Sequence, residues 1–310
     1  MIALVFPGQG SQRVGMGRAL ADRLSECRET FAQADAALGM SISRLCFEGP
    51  ADQLTLTEHT QPALVAVSTA AARALTARGI RPAFLAGHSL GEYSAHVAAG
   101  TLSLADALRT VRSRGRYMQE AVPVGEGAMA AVLGLDETLL EQACAEAAHG
   151  QIVSPANLNA PGQIVIAGAQ AAVERAGERA MALGARRVVP LKVSAPFHCA
   201  LMQPAQDRLA RDLRDLVVAD PTVPVVANLD AEPKRDGAAS IAALVGQVTA
   251  PVRWEQVVRR LASEGVDTYV EVGVGSVLSG LIRKIDRSAR VLSVADSADV
   301  DNAVSVLASA

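Results

Sequence analysis

Lysine is nearly absent from this 310-residue chain, standing only at 192, 234 and 284. Almost all positive charge is therefore arginine, and a single arginine is a functional clue only where its position supports it. The net charge is -3, so no basic field recommends nucleic acid or an anionic membrane as partner. Cysteine is sparse too. Cys27, Cys46, Cys144 and Cys199 are far apart and form no C-x-x-C pair. That argues against a disulfide framework or a zinc site and fits a reducing cytoplasm. No stretch reaches about 18 uninterrupted apolar residues, which excludes a transmembrane helix. The N-terminus lacks the basic region of a signal peptide and reads as a first strand. There is no internal repeat, no low-complexity linker and no metal-ligand spacing.

What is present is a globular composition, 50% apolar and 20% charged. The length suits one large or two modest domains. Apolar runs alternate with helix-like segments. Ile2–Phe6, Phe84–Ala86 and Thr268–Val272 each precede a glycine turn and a helix, the last near Val277–Ile285. Strand, glycine turn, helix is the grammar of an α/β protein with a parallel sheet and helices on both faces. Pro62–Ala77, free of glycine and rich in alanine, is expected as a long buried helix. The middle of the chain differs. Strands at Ala128–Gly134, Gln151–Ala156, Gln163–Ala167 and Arg186–Lys192 interleave with helices at Asp136–Ala148 and Ala169–Leu183. Asn157–Gly162 is expected as a turn. The order βαββαβ is ferredoxin-like. It predicts a small domain at 124–192 inserted into a larger domain formed by 1–123 and 193–310.

The sharpest chemical signal is Gly87-His-Ser-Leu-Gly91, a G-x-S-x-G between an apolar run and an alanine-rich helix. That context is the strand–elbow–helix arrangement that lifts a serine Oγ above a sheet. Ser89 is then a nucleophile; the alternative is a plain turn with Ser89 as a helix cap. A serine needs a base. Among His59, His88, His96, His149 and His198, only His198 lies in a loop that returns to the large domain after the serine. It is the candidate base, with a structural histidine as the alternative. Such an imidazole is expected to titrate near neutrality. Asp106 and Asp136 each cap a helix, so no acid is free for a triad. A Ser–His dyad oriented by a neutral acceptor is expected. Phe6-Pro-Gly-Gln-Gly-Ser-Gln12 has Arg13 where a dinucleotide fingerprint needs its third glycine, which excludes a Rossmann site. Its close backbone suits an oxyanion hole instead. The Gly273–Ser276 turn reads as structural.

Together with Thr60-Gln-Pro62, Glu92, Arg114-Gly115, Met118-Gln119, Asn157-Leu-Asn159, Pro161-Gly-Gln163, Pro196-Phe-His198, Gln247, Pro251-Val252 and Trp254, these motifs stand in the order of one family. The chain resembles the malonyl-CoA:acyl carrier protein transacylases of bacterial fatty acid synthesis, nearly end to end. The resemblance implies an α/β-hydrolase-like large domain with a ferredoxin-like insertion. It implies transfer of malonyl from coenzyme A to the phosphopantetheine thiol of acyl carrier protein, by ping-pong through a malonyl ester. Ser89 would be the nucleophile and His198 the base. The amides of Gln9 and Leu90 would form the oxyanion hole, and Arg114 would bind the malonyl carboxylate. Gln247 would supply the neutral acceptor for His198, and His88 would support the site. No cofactor and no metal are implied, and a cytoplasmic monomer is expected. Phe197 stands where many stand-alone fatty-acid enzymes carry serine. Phe-His is a feature of malonyl-selective acyltransferases serving polyketide synthases, so a trans-acting enzyme of that pathway stays open. Two other classes stay open on the residues alone. A serine esterase or thioesterase requires a triad acid and no buried clamp for a substrate carboxylate. A non-catalytic carrier-protein binding module requires a missing nucleophile or base.

Overall fold

The computed structural model describes residues 1–308. Ten strands fall into two sheets. The larger takes β1 (Ile2–Phe6), β2 (Phe84–Gly87), β7 (Val225–Val226), β8 (Pro233–Lys234), β9 (Thr268–Val272) and β10 (Arg290–Val294), in the order β10-β9-β1-β2-β7-β8. All neighbours in it are parallel except the β7–β8 edge. β1 is central and almost wholly buried, as an apolar run covered by helices on both faces must be. The second sheet holds β3 (Gly127–Leu133), β4 (Val153–Ala160), β5 (Gln163–Ala169) and β6 (Arg187–Pro190). Its order is β4-β5-β3-β6 and every pair is antiparallel. The helices Glu137–Ala147 and Gln170–Ala182 complete the ferredoxin-like pattern.

Two expectations need correcting. Asn157–Gly162 is not a turn, because β4 runs on to Ala160 and only Pro161-Gly162 reverses the chain. The cause is a second pairing. Leu158 N–H donates to the Val252 carbonyl at 2.8 Å and Val252 N–H to the Ala156 carbonyl at 2.9 Å, so this edge is held extended by the segment at Val252. The alanine-rich helix starts five residues before Pro62, at Thr57, and carries the proline inside it. Most of its residues are buried, and helix Leu104–Glu120 crosses its first turn. There a Cβ on Gly115 would sit 2.7 Å from the Thr57 carbonyl oxygen. That close approach is why glycine stands in the middle of a helix, where it costs about 1 kcal/mol against alanine. Leu108 and Val111 complete the buried face. All four cysteines are buried and unpaired.

Candidate active site

The strand β2 ends at Gly87 and the helix Gly91–Ala98 begins four residues later. The turn between them is too tight for side chains at either glycine. A Cβ on Gly87 would lie 1.9 Å from the Gly91 carbonyl carbon, and one on Gly91 would lie 2.0 Å from the Phe6 carbonyl oxygen. Ser89 sits at the apex with φ 50, in the left-handed region that non-glycine residues seldom adopt. Asn228 holds it there. Its Oδ1 accepts from Ser89 N–H at 2.6 Å, and its Nδ2 donates to the Gly87 carbonyl at 2.6 Å.

Ser89 Oγ is 2.7 Å from His198 Nε2, and His198 Nδ1 is 2.9 Å from the Gln247 carbonyl oxygen. A carbonyl only accepts, so Nδ1 carries the proton and Nε2 presents its lone pair to the serine hydroxyl. His198 also has a positive φ, 61, and is 3% exposed. Strain stored at two residues that face each other is the pattern of a functional site. Burial first, then the charge of Arg114, pulls the His198 imidazole down to about 3. It does not titrate near neutrality, contrary to expectation, because both causes penalise the imidazolium.

Arg114 is 2% exposed. One of its terminal amino groups donates to Gln61 Oε1 at 2.9 Å. The other reaches Ser89 Oγ at 3.2 Å and Gln247 Oε1 at 3.1 Å. Its Nε has no partner, and among the described residues no carboxylate pairs with it within 4 Å. A buried guanidinium served only by neutral oxygens, with its edge on Ser89 Oγ, suits an anionic ligand group. Two other arginines of its helix have plain structural work. Arg109 and Arg112 donate to the Ala37 and Leu38 carbonyls that end the helix Ser25–Leu38.

Ser89, His198, Arg114, Gln9, Leu90 and His88 all line one cavity of about 500 Å³. Ser89 N–H is taken by Asn228, whereas no protein acceptor among the described residues engages the amides of Gln9 and Leu90. His88 turns away from the serine, its Nε2 lying 2.8 Å from Asn159 Oδ1 on β4. Burial lowers its basicity. Gln247 lies behind the cavity wall. It supplies the acceptor for His198 through its backbone, while its side chain spans Arg114, the Ser89 carbonyl and Glu92. Among the described residues no cluster of three His, Cys, Asp or Glu is placed to hold a metal ion, and no helix is long and apolar enough to cross a membrane.

Sequence reasoning gave no role to Asn228, Gln61, Asn159 or Glu92. Asn228 follows a strand of two residues, too short to leave a period. Glu92 occupies the first turn of its helix, where an acid is ordinary because of the helix dipole. It is 0% exposed, and its Oε2 accepts from Asn228 N–H at 2.9 Å and Gln247 Nε2 at 2.7 Å. Burial pushes its carboxyl up to about 7.

Residues 3–305 match the model of the acyl transferase domain family. The chain is 52% identical over 284 residues to the malonyl CoA-acyl carrier protein transacylase of Escherichia coli strain K12, covering 91% of this chain and 92% of that protein. It is 47% identical over 307 residues to the enzyme of the same name from Bacillus subtilis strain 168, covering 99% and 97%. The solved malonyl CoA-acyl carrier protein transacylase of Coxiella burnetii superposes with a TM-score of 0.96 at 43% identity, covering 98% of this chain and 96% of that one. A malonyl-transacylase solved in complex with a type II PKS acyl-carrier protein gives a TM-score of 0.96 at 46% identity, covering 98% and 99%.

Proposed function

From the premise that the chain belongs to the malonyl-CoA:acyl carrier protein transacylase family, we propose that it moves malonyl from coenzyme A to acyl carrier protein through an ester on Ser89. His198 Nε2 takes the hydroxyl proton as Ser89 Oγ attacks the thioester carbonyl. The oxyanion is met by the N–H groups of Gln9 and Leu90, an arrangement that contributes about 3–4 kcal/mol. The imidazolium then gives its proton to the departing thiolate of coenzyme A. The carrier's phosphopantetheine thiol enters the same cleft and the steps run in reverse, His198 removing the thiol proton and returning it to Ser89. Nucleophile, base and oxyanion donors are all residues of the chain, so the reaction calls for no further group.

Arg114 takes the free carboxylate of malonyl as a two-pronged partner. Seating that anion cancels the second cause of the low His198 basicity, so the base improves when the correct substrate is in place. The observation that carries this reading is the buried guanidinium with its edge on Ser89 Oγ and, among the described residues, no carboxylate paired with it within 4 Å. The dyad lacks the triad acid that a general esterase would present, since His198 Nδ1 faces a backbone carbonyl.

Residues 124–192 form the inserted unit, a reading supported by a sheet whose strands all lie between Gly127 and Pro190 and by a hydrophobic cluster of its own. Four free cysteines fit work in the reducing cytoplasm. Intact-protein mass after mixing with malonyl-CoA tests the function. The expected result is a covalent malonyl adduct that holo acyl carrier protein discharges, and no adduct on Ser89→Ala. A malonyl adduct retained by Ser89→Ala would move the nucleophile elsewhere.

A further inference from the structure

We propose that Glu92 is the positioning residue that sets the nucleophile elbow and the carboxylate clamp in register with each other. Two assemblies must be aligned for the transfer described above, on which this role depends. The first is the elbow, held by Asn228 through Ser89 N–H and the Gly87 carbonyl. The second is the base and clamp, both held by Gln247, whose carbonyl faces His198 and whose Oε1 accepts from Arg114. Asn228 and Gln247 come from different parts of the chain, one after β7 and the other at the end of helix Gly237–Gly246. The two meet at the backbone of Ser89, whose N–H faces Asn228 and whose carbonyl faces Gln247, and at one other point.

That other point is a single atom. Glu92 Oε2 accepts from Asn228 N–H at 2.9 Å and from Gln247 Nε2 at 2.7 Å. Gln247 Nε2 also donates to the Ser89 carbonyl at 3.1 Å, which closes the circuit onto the elbow. The other oxygen, Oε1, is buried and has no partner. A carboxylate kept only for its own solvation would use both oxygens. Glu92 concentrates its acceptor capacity on one, between the two holders. Its helix begins at Gly91, so its backbone moves with the serine.

The required features are therefore one acceptor oxygen at this reach. Gln keeps that oxygen and places an amide where Oε1 stands. Asp keeps the charge and shortens the reach by one methylene. Ala removes both. The experiment uses the full chain with Glu92→Gln, Glu92→Asp and Glu92→Ala, each first checked for cooperative unfolding. Steady-state kcat and KM are measured for malonyl-CoA and acetyl-CoA with holo carrier protein as acceptor. Glu92→Asp and Glu92→Ala should lose about tenfold or more in kcat with both acyl groups, because the elbow and base drift. They should also raise KM for malonyl-CoA but not for acetyl-CoA, because only malonyl uses Arg114. Glu92→Gln should restore both constants to near the parent values.

A folded Glu92→Gln as impaired as Glu92→Ala would overturn the proposal. So would full activity in Glu92→Asp or Glu92→Ala, or KM shifts equal for the two thioesters. If Glu92→Ala does not fold, the contrast between Gln and Asp decides the matter alone. The unsubstituted enzyme serves as control: its failure to take up malonyl would refute the transfer chemistry, whereas its success with three indifferent variants would refute only the role of Glu92.

Discussion

In the proposed mechanism Arg114 separates malonyl transfer from acyl transfer in general. Truncating it to alanine leaves a bound malonyl carboxylate desolvated and without a partner, a loss of about 2–5 kcal/mol by analogy with removing one member of a buried ion pair. Arg114→Ala should therefore lower kcat/KM for malonyl-CoA about 100-fold or more while acetyl-CoA is used as well as before or better. Equal loss on both thioesters would reduce Arg114 to a support of the fold. The same substitution bears on His198. With the imidazole held near 3, the acid limb of the kcat/KM profile should lie well below the ordinary histidine value. Arg114→Ala, measured with acetyl-CoA, should move that limb upward by removing a neighbouring positive charge. A limb at 6.5 in the parent enzyme would mean that His198 stays solvated in solution. At this scale the sequence was most legible where chemistry imposes a motif. Ser89 lies between two glycines that only a tight elbow needs, and Arg114 stands beside a glycine that a helix would otherwise avoid. Asn228 was illegible because its work is done by a side chain reaching backbone groups 139 and 141 residues away, and no spacing rule reports that.

The contact between helices Thr57–Ala77 and Leu104–Glu120 is set by the absence of a side chain at Gly115. On propensity alone Gly115→Ala should stabilise its helix by about 1 kcal/mol. Here the added methyl would meet backbone, with the Thr57 carbonyl at 2.7 Å and the Glu58 amide and Cα at 2.9 Å. Main chain at a helix start cannot yield as a flexible side chain does, and overpacking costs about 1–3 kcal/mol. Gly115→Ala should thus lower the denaturation midpoint in urea and, by shifting Arg114 one residue away, weaken malonyl use more than acetyl use. An unchanged or raised midpoint would show that the two helices can separate freely. Element boundaries were readable where caps were local, as with Ser103 accepting from Asp106 N–H and Asp136 from Leu139 N–H. They were misread where a distant strand decided them. The Asn157–Gly162 segment has the asparagines, proline and glycine of a turn, yet pairing with Val252 draws its first four residues out as strand. That extension is also what carries Asn159 to His88.

For the molecule as a whole, alternation of strand and helix was enough to identify two sheets of different character. The order of strands in the larger sheet was not, since β7 and β8 have two residues each and carry no period. Folding buries two histidines in neutral form, His96 and His198, both drawn down to about 3, desolvation being the largest cause. A group whose value falls on folding binds fewer protons in the native state. Its contribution is intact above the unfolded value near 6.5 and is lost as pH falls toward the native value, at about 1.4 kcal/mol per pH unit for each such group. Glu92 acts in the opposite sense between about 4.5 and 7, because its raised value makes the native state bind the extra proton. The histidines outnumber it, so the urea midpoint should fall between pH 6.5 and 5. His96 has no partner on either ring nitrogen, and His96→Phe should flatten that slope. An unchanged slope would place the acid sensitivity elsewhere. The burial of the four thiols has a different consequence. An enzyme that holds activated acyl groups all its working life is exposed to its own cysteines as rival acceptors, since a thiolate attacks a thioester more readily than a hydroxyl does. Burial pushes Cys27 and Cys144 up to about 12 and Cys199, next to His198, up to about 11; it raises Cys46 as well. No sulfur is both ionised and within reach, so the acyl group has one place to rest. Iodoacetamide at pH 8 should leave the native chain unlabelled and alkylate all four residues once it is unfolded.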